Sequence, residues 1–282
     1  AFHFDAFMRD SNDYHIPSGS IAHDEHDEDE TDEEHEEHDD HEESALDKLD
    51  NTAAEGYGYT AGMSYLMDNG YVGISYGYLD RQYGLPGHGS HHEEEEHDSA
   101  VDVEDEHHDE AVYGDLKQDR FQLLSDLTFQ HDFVHRVTSK FAYTDYNHKE
   151  IEGDEVGTTF TNKMLETRFD IYHQAFDQWK GAFTLHYKKS DFEAIGEEAF
   201  TPPSETSMFA VAWLEEKHFN DVLLQVGVRA ENINISANSI DDNTHFEQSF
   251  TPLSASLGAV WSFSQGYNLG LSFAYSQRAP SA

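Results

Sequence analysis

The ten residues 179–188 read WKGAFTLHYK, and their alternation decides the fold class of this chain. The apolar or small set is Trp179, Gly181, Phe183, Leu185 and Tyr187, and the other set includes Lys180, Thr184, His186 and Lys188. Side chains that alternate with a period of two lie on opposite faces of a β-strand. The stretch is therefore predicted to be a strand with one apolar face and one face that tolerates water.

The same alternation recurs along most of the chain and predicts an all-β protein. About eleven strands are expected, at roughly 1–9, 54–67, 71–80, 117–129, 133–149, 159–174, 178–191, 206–217, 222–236, 248–263 and 267–277. Several are longer than the usual soluble strand of about five or six residues. Long alternating strands favour an antiparallel transmembrane β-barrel, and the alternative is a large soluble all-β protein with two-faced sheets.

The connections between these strands alternate between short and long, which strengthens the barrel prediction. The short ones lie near 68–70, 131–132, 176–178, 218–221 and 265–266, and the long ones near 10–53, 81–116, 150–158, 192–205 and 237–247. Outer-membrane barrels have tight periplasmic turns and longer extracellular loops. We therefore expect the long connections to share one end and to face the cell exterior.

Composition excludes several classes of function. The chain of 282 residues has 58 Asp and Glu against 16 Lys and Arg, a net charge of -42, so nucleic acid is not an expected partner. Cysteine is absent, which removes disulfides, thiolate metal sites and Cys nucleophiles. Carboxylate pairs occur throughout, so no pair is distinctive, and no enzymatic activity is predicted.

Two acidic connections are rich in histidine and predict metal capture. The 10–53 connection holds His23, His26, His35, His38 and His41, and the 81–116 connection holds His88, His91, His92, His97, His107 and His108. Neutral imidazole and carboxylate suit Zn(II), which takes three or four protein ligands. Zinc is the first choice as the bound or transported ion, although copper and nickel accept the same ligands.

A simpler interpretation is that both connections are disordered acidic segments, because they have too few apolar residues to bury a core. That interpretation leaves the histidines unexplained, since a purely solvating run needs only Asp and Glu. Imidazole binds protons instead of metal in acid. Metal capacity is therefore expected to fall between about pH 7 and about pH 5.5.

Three motifs resemble TonB-dependent outer-membrane receptors. They are RDSNDYHIP at 9–17, YGLPGH at 83–88 and RAPSA at 278–282. Within that family the His-rich connections resemble those of the ZnuD-type zinc receptors. The resemblance implies a 22-stranded barrel around an N-terminal plug, with import driven by the TonB complex through a TonB box on the plug. Neither plug nor box is identified here, so residues 1–282 are expected to be a barrel fragment in contact with outer-membrane lipid.

The resemblance also implies a zinc site inside the barrel, shared with the plug. His88, at the end of a strand, is the best single candidate for it, and His15 is a weaker one. His186 falls on the polar face of its strand, where it lines the lumen or has a hydrogen-bonded structural role. The function predicted from the sequence is a receptor for zinc uptake. The alternatives are a siderophore or haem receptor and a surface protein for metal buffering or adhesion.

Overall fold

The computed structural model describes residues 1–17, 46–86, 111–196, 199–238 and 244–280, and the regular structure in these ranges is all strand. The fourteen strands are β1 Phe2–Ser11, β2 Tyr14–Pro17, β3 Leu46–Leu49, β4 Ala54–Met67, β5 Gly70–Gly84, β6 Val112–Thr128, β7 Val134–Glu152, β8 Glu155–His173, β9 Lys180–Gly196, β10 Ser204–Phe219, β11 Val222–Asn238, β12 His245–Phe250, β13 Leu253–Ser264 and β14 Tyr267–Tyr275. No helix in the described ranges is long and apolar enough to cross a membrane.

Twelve of the strands form one antiparallel sheet, and β2 and β3 form a separate hairpin. The order of the large sheet is β1-β4-β5-β6-β7-β8-β9-β10-β11-β13-β14, with β12 paired to β11. Each strand lies beside the next one along the chain, so alternate connections lie at the same end. We call the end with β1–β4 and β5–β6 the loop end, and the opposite end the turn end.

The register separates the two faces of the sheet. One row of paired residues runs through Leu127, Val137, Ile171, Phe183, Trp213, Val228, Ala255 and Tyr275. The adjacent row, on the other face, runs through Asp126, Thr138, Asp170, Thr184, Ala212, Arg229 and Ser254. We call these the apolar face and the polar face. The all-β antiparallel fold class predicted from period two is thus confirmed.

The predicted long connection at 150–158 is wrong. Strand β7 runs to Glu152 and β8 begins at Glu155, so only two residues form the turn, and Gly153 has a φ of 56°. The residues at these strand ends are polar and show no alternation of apolar side chains, so their sequence predicted a loop. Glycine adopts a positive φ without the steric cost that a Cβ would add.

Three further predictions differ from the structure. The predicted strand 248–263 is interrupted between Phe250 and Leu253, where Pro252 has no backbone N–H to donate to a ladder. The predicted 10–53 connection contains the β2–β3 hairpin, whose four-residue strands are too short to show a period. The second His-rich connection is also shorter than 81–116, since β5 ends at Gly84 and β6 begins at Val112.

Candidate functional site: the loop end and the polar face

The eleven predicted metal ligands lie outside the described residues, in 18–45 and 87–110, which we call the first and second His-rich segments. These ligands are His23, His26, His35, His38, His41, His88, His91, His92, His97, His107 and His108. The structure does describe the residues just before and just after each segment, which we call its roots. Pro17 pairs with Leu46 at the root of the first segment. The Leu85 N–H donates to the Val112 carbonyl, at 3.0 Å, at the root of the second.

Asp13 holds the β2–β3 hairpin against the start of β4. Its carboxylate accepts hydrogen bonds from the backbone N–H groups of Thr52 and Ala53, both at 2.7 Å, and pairs with the Lys48 ammonium at 2.8 Å. The hydrogen bond from Lys48, followed by those from the backbone, lowers the pKa of Asp13 from 3.8 to about 2. The same contact raises the pKa of Lys48. The first root is therefore fixed by a carboxylate that stays ionised in moderate acid.

Asn51 joins the first root to the second. Its side-chain Nδ2 donates to the Leu85 carbonyl at 3.0 Å and to the Val112 carbonyl at 2.7 Å. The backbone of Asn51 has a φ of 58°, a conformation that Asn tolerates better than most residues. A Cβ added to Gly84 would lie 2.3 Å from the Asn51 carbonyl oxygen. The backbone at Gly84 and the backbone at Asn51 therefore approach as closely as a glycine permits. The roots of both His-rich segments therefore lie side by side.

A polar bridge on the polar face crosses four strands, from Glu166 on β8 to Glu231 on β11. His186 Nε2 lies 2.9 Å from Glu166 Oε1, and His186 Nδ1 lies 3.4 Å from Arg229 Nη2, while Arg229 also pairs with Glu231. A guanidinium can only donate, so Nδ1 accepts and Nε2 carries the proton given to Glu166. Ala210, between His186 and Glu231 in register, is fully buried, and its small side chain leaves room for Arg229 to reach across.

The surroundings of this bridge carry both signs of charge. Arg168 pairs with Asp170 at 2.9 Å, and Asp170 accepts a hydrogen bond from the Thr184 hydroxyl at 2.7 Å. Lys140 lies opposite Arg168 and Lys188 lies opposite Glu166 in register. No carboxylate within the described ranges forms an ion pair with either of these two lysines. The polar face thus offers two cations that are available to an anionic group.

An aromatic cluster around His148 lies on the polar face near the loop end. The His148 ring stacks on Tyr83, with centroids 5.9 Å apart, and on Phe160 at 5.7 Å. The Tyr83 hydroxyl lies 3.2 Å from His148 Nε2. Tyr83 is one residue from Gly84, so the cluster supports the second root. His148 was not predicted from the sequence, because a lone His in an alternating strand has no local signal of its partners.

No group of three or more His, Asp or Glu residues that could hold a metal occurs in the described part of the chain. His15 is exposed on β2, opposite Lys48 in register. His186 does lie on the polar face, as its alternation predicts, and both of its ring nitrogens have hydrogen-bond partners. The metal-ligand prediction for the two His-rich segments stays a prediction, and so does an internal site that includes His88.

The apolar face exposes large side chains along the whole sheet. Phe183 is 41% exposed, Trp213 55% and Leu271 78%, and each lies on this face. A contiguous apolar surface of this extent marks an interaction with lipid or protein. Charged residues such as Asp145 and Lys163 begin on the same face nearer the loop end. The apolar belt therefore covers part of each long strand, as in membrane barrels.

Comparison with known proteins agrees with this architecture. Residues 40–282 match the family described as TonB dependent receptor-like, beta-barrel, and the chain belongs to that family. The FrpB iron transporter from Neisseria meningitidis superposes with a TM-score of 0.68 at 10% identity, over 98% of this chain and 42% of that one. The copper transporter OprC gives 0.71 at 10% identity, over 100% and 41%. The alcaligin outer-membrane receptor FauA from Bordetella pertussis gives 0.53 at 11% identity, over 79% and 35%.

At these identities the solved structures share the fold of this chain and nothing finer. The chain spans about two fifths of the length of the FrpB and OprC chains. Membership of the family identifies the sheet as part of an outer-membrane receptor barrel. The apolar face is accordingly the lipid-facing side and the polar face the inner side.

Proposed function

We propose that this chain forms part of the wall of an outer-membrane receptor that takes up a divalent metal ion, with zinc as the first candidate. The observation that carries the proposal is the adjacency of the two roots, because Asn51 bonds to both residues that close the second segment. The two His-rich segments, which contain eleven histidines and most of the net negative charge, are therefore attached to the sheet at neighbouring points. This resembles the arrangement expected of a ZnuD-type zinc receptor.

The acidic residues and the histidines have different parts in this function. Carboxylates attract cations over roughly one Debye length, about 8 Å at physiological ionic strength, and so raise their concentration near the loop end. Neutral imidazoles supply the nitrogen ligands that favour zinc over calcium and magnesium. FrpB and OprC are described as iron and copper transporters, which supports a metal as the class of substrate.

The polar face supplies a second stage inside the barrel. Glu166 and His186 are 2.9 Å apart and lie on the inner side, where an ion released from the loop end would pass them. Their present partners occupy both nitrogens of the imidazole, so binding there requires Arg229 to release Nδ1. Release of the ion into the periplasm would depend on the TonB complex, acting through a plug, as in the rest of the family.

A second candidate is an anionic metal chelate such as a siderophore. Lys140 and Lys188 favour it, because two cations without described carboxylate partners on the inner side attract carboxylate or phenolate groups. The net charge of -42 opposes it, since an anionic chelate would be repelled at the loop end before it reached these lysines. Surface metal buffering or adhesion is the remaining alternative.

The test is competitive calorimetry of the chain in detergent with Zn(II), Cu(II), Ni(II) and Ca(II) at about pH 7 and about pH 5.5. The matched variant changes all eleven segment histidines to Asn, which keeps every carboxylate. We expect saturable zinc binding that weakens at least about a hundredfold in the variant and falls in acid, while weak calcium binding persists. Equal zinc binding in both proteins would remove imidazole from the mechanism and favour the charged-surface or chelate alternatives.

A further inference from the structure

A groove lies on the apolar face beside Ala61, near the middle of β4 and β5. Its volume is about 500 Å³, within the range of roughly 300–1,000 Å³ that is usual for ligand sites. Phe121 and Leu123 lie an even number of residues from Leu127 along β6, so they belong to the apolar face. We call this feature the Ala61 groove. The side chains that form its walls are Met63, Ile74, Tyr76, Phe121, Leu123 and Phe141.

The groove exists because a small side chain lies between large ones. Ala61 is opposite Phe4 on β1 and Tyr76 on β5 in register, and its methyl group leaves the sheet uncovered between these rings. Met63 and Phe121 stand beside this position and are 52% and 53% exposed. A large residue at position 61 would therefore fill the groove.

Tyr76 forms a fixed wall of the Ala61 groove. Its ring packs against Phe121, with centroids 4.8 Å apart, and against Tyr59 at 6.0 Å. Its hydroxyl donates a hydrogen bond to the Asp119 carboxylate. Because both the ring and the hydroxyl are held, this wall is formed before a ligand enters, which lowers the cost of ordering the site on binding.

Polar groups mark the end of the groove that faces the loop end. The Tyr78 hydroxyl donates to Asp80 at 2.8 Å, and Asp119 lies opposite both Tyr78 and Asp145 in register. Tyrosine rings that direct a hydroxyl toward water are typical of the boundary between membrane and water. The groove therefore begins at the level of the lipid headgroups and extends from there into the hydrocarbon region.

We propose that the Ala61 groove binds one acyl chain of a lipid from the membrane leaflet at the loop end. The groove is continuous with the apolar face, which membership of the receptor-barrel family identifies as lipid-facing. Its lining residues come from β1, β4, β5, β6 and β7, and none of them is charged. Barrel strands are tilted by about 35–45°, so an acyl chain along the membrane normal crosses several neighbouring strands, as the groove does.

The first measurement uses the full, unchanged chain in lipid nanodiscs that contain a trace of phosphatidylcholine with a diazirine in one acyl chain. Adducts formed on illumination are mapped by proteolysis and mass spectrometry. Ile74 lines the groove and is 49% exposed, and its controls are Leu253 and Leu257, which are 52% and 50% exposed on the same face. We expect at least about threefold more adduct at Ile74 than at either leucine, because a concave site holds its ligand longer than a flat surface.

The second measurement compares two variants that add the same ring to the apolar face. Ala61→Phe fills the groove, whereas Ala255→Phe is the matched control, since Ala255 is exposed between Val228 and Tyr275 in register. Native mass spectrometry then counts the lipids that each protein retains in detergent. We expect the parent and Ala255→Phe to keep one lipid that Ala61→Phe loses, and the adduct yield at Ile74 to fall only in Ala61→Phe.

Three outcomes would overturn the proposal. The first is an equal adduct yield at Ile74 and at the two leucines, a comparison that needs no variant and so decides even if Ala61→Phe does not fold. The second is equal lipid retention in the parent and in a folded Ala61→Phe. The third is a dimer without adducts at Ile74, because a second copy of the chain would then cover the groove in place of a lipid.

Discussion

At the residue scale, Gly181 shows how closely the sheet constrains one position. A Cβ at Gly181 would lie 2.1 Å from the Leu214 carbonyl oxygen and 2.6 Å from the carboxyl carbon of Glu215. The Glu215 carboxylate is itself held in place, since Oε1 accepts hydrogen bonds from the Trp213 indole at 2.7 Å and from His173 Nε2 at 2.8 Å. A side chain at 181 must move either the backbone or this anchored group.

We therefore expect Gly181→Ala to lower the free energy of unfolding by about 1–3 kcal/mol, as overpacking usually does. The measurement is urea unfolding of the protein in detergent micelles. Gly77→Ala is the control, because a Cβ there would meet nothing closer than the Thr60 hydroxyl at 3.6 Å, an ordinary contact. Equal stability of the two variants would show that the strand shifts freely at 181.

The alternation in the sequence predicted the face on which a residue lies but not the partners of its side chain. The alternation placed His186 on the polar face, which the structure confirms. Its contacts with Glu166 and Arg229 depend on the register of three neighbouring strands. The alternation within one strand gives no information about that register. Asn51 was missed for a similar reason, since its partners are set by how two distant connections return to the sheet.

At the element scale, the β2–β3 hairpin depends on Asp13. The lowered pKa of Asp13 means that its stabilising contribution is complete above the ordinary value of 3.8 and is lost only as the pH falls toward about 2. Imidazoles with ordinary pKa values of about 6.5 protonate well above that range. Acid should accordingly release metal from the His-rich segments while the hairpin that supports the first of them stays closed.

Hydrogen exchange at the Thr52 and Ala53 amides tests this, because Asp13 accepts from both. We expect protection at pH 7 and at pH 5 in the parent, and its loss at both in Asp13→Ala. Asp50→Ala is the control, since Asp50 makes only a 3.6 Å contact with Lys48. Loss of protection in the parent at pH 5 would contradict the ionised Asp13 that the geometry requires.

Strands were predicted well where the apolar alternation was complete and poorly where it ended. The expected strand 54–67 is β4, Ala54–Met67, whereas β7 and β8 extend through residues that were assigned to a loop. On the apolar face, β7 changes from Phe141 and Tyr143 to Asp145, because its far end stands beyond the lipid. An alternation of apolar residues with a period of two identifies the part of a strand that lies in the membrane. It does not identify the polar extension of that strand.

At the scale of the whole molecule, opposite charges are separated along the chain. None of the sixteen Lys and Arg residues lies in 18–45 or 87–110, where acidic residues and histidines predominate. Such a field attracts cations from a distance and is screened by salt, with a Debye length of about 10 Å at 0.1 M and about 3 Å at 1 M. The rate of ion capture should therefore depend on ionic strength.

We expect the association rate constant for Zn(II), measured by stopped flow, to fall at least severalfold between about 0.02 M and about 0.5 M NaCl. The dissociation rate constant should change much less, because it reflects the local ligands. A variant with the second-segment run Glu93, Glu94, Glu95 and Glu96 changed to Gln should show a weaker dependence. A rate that is independent of salt would show that the acidic residues do not steer the ion.

Alternation and spacing were sufficient for the fold class, since a barrel of this kind repeats one simple pattern many times, and the resemblance of three short motifs indicated the family. The family match over 40–282 and the twelve-stranded sheet agree with that expectation. The identity of the bound ion is not predicted in the same way, because it depends on which side chains converge in three dimensions. Runs of His, Asp and Glu offer many combinations, and the sequence alone does not select one of them.

The two-residue turn at Gly153 and Asp154 has a practical consequence. Strands β7 and β8 have 19 residues each, roughly 60 Å at about 3.3 Å per residue, whereas the apolar band of such barrels is about 25 Å tall. Even with a tilt of about 40°, much of this hairpin stands clear of the bilayer, at the same end as the roots. The β7–β8 hairpin therefore projects past the apolar band at the loop end as paired, regular structure, which makes it a suitable epitope for an antibody.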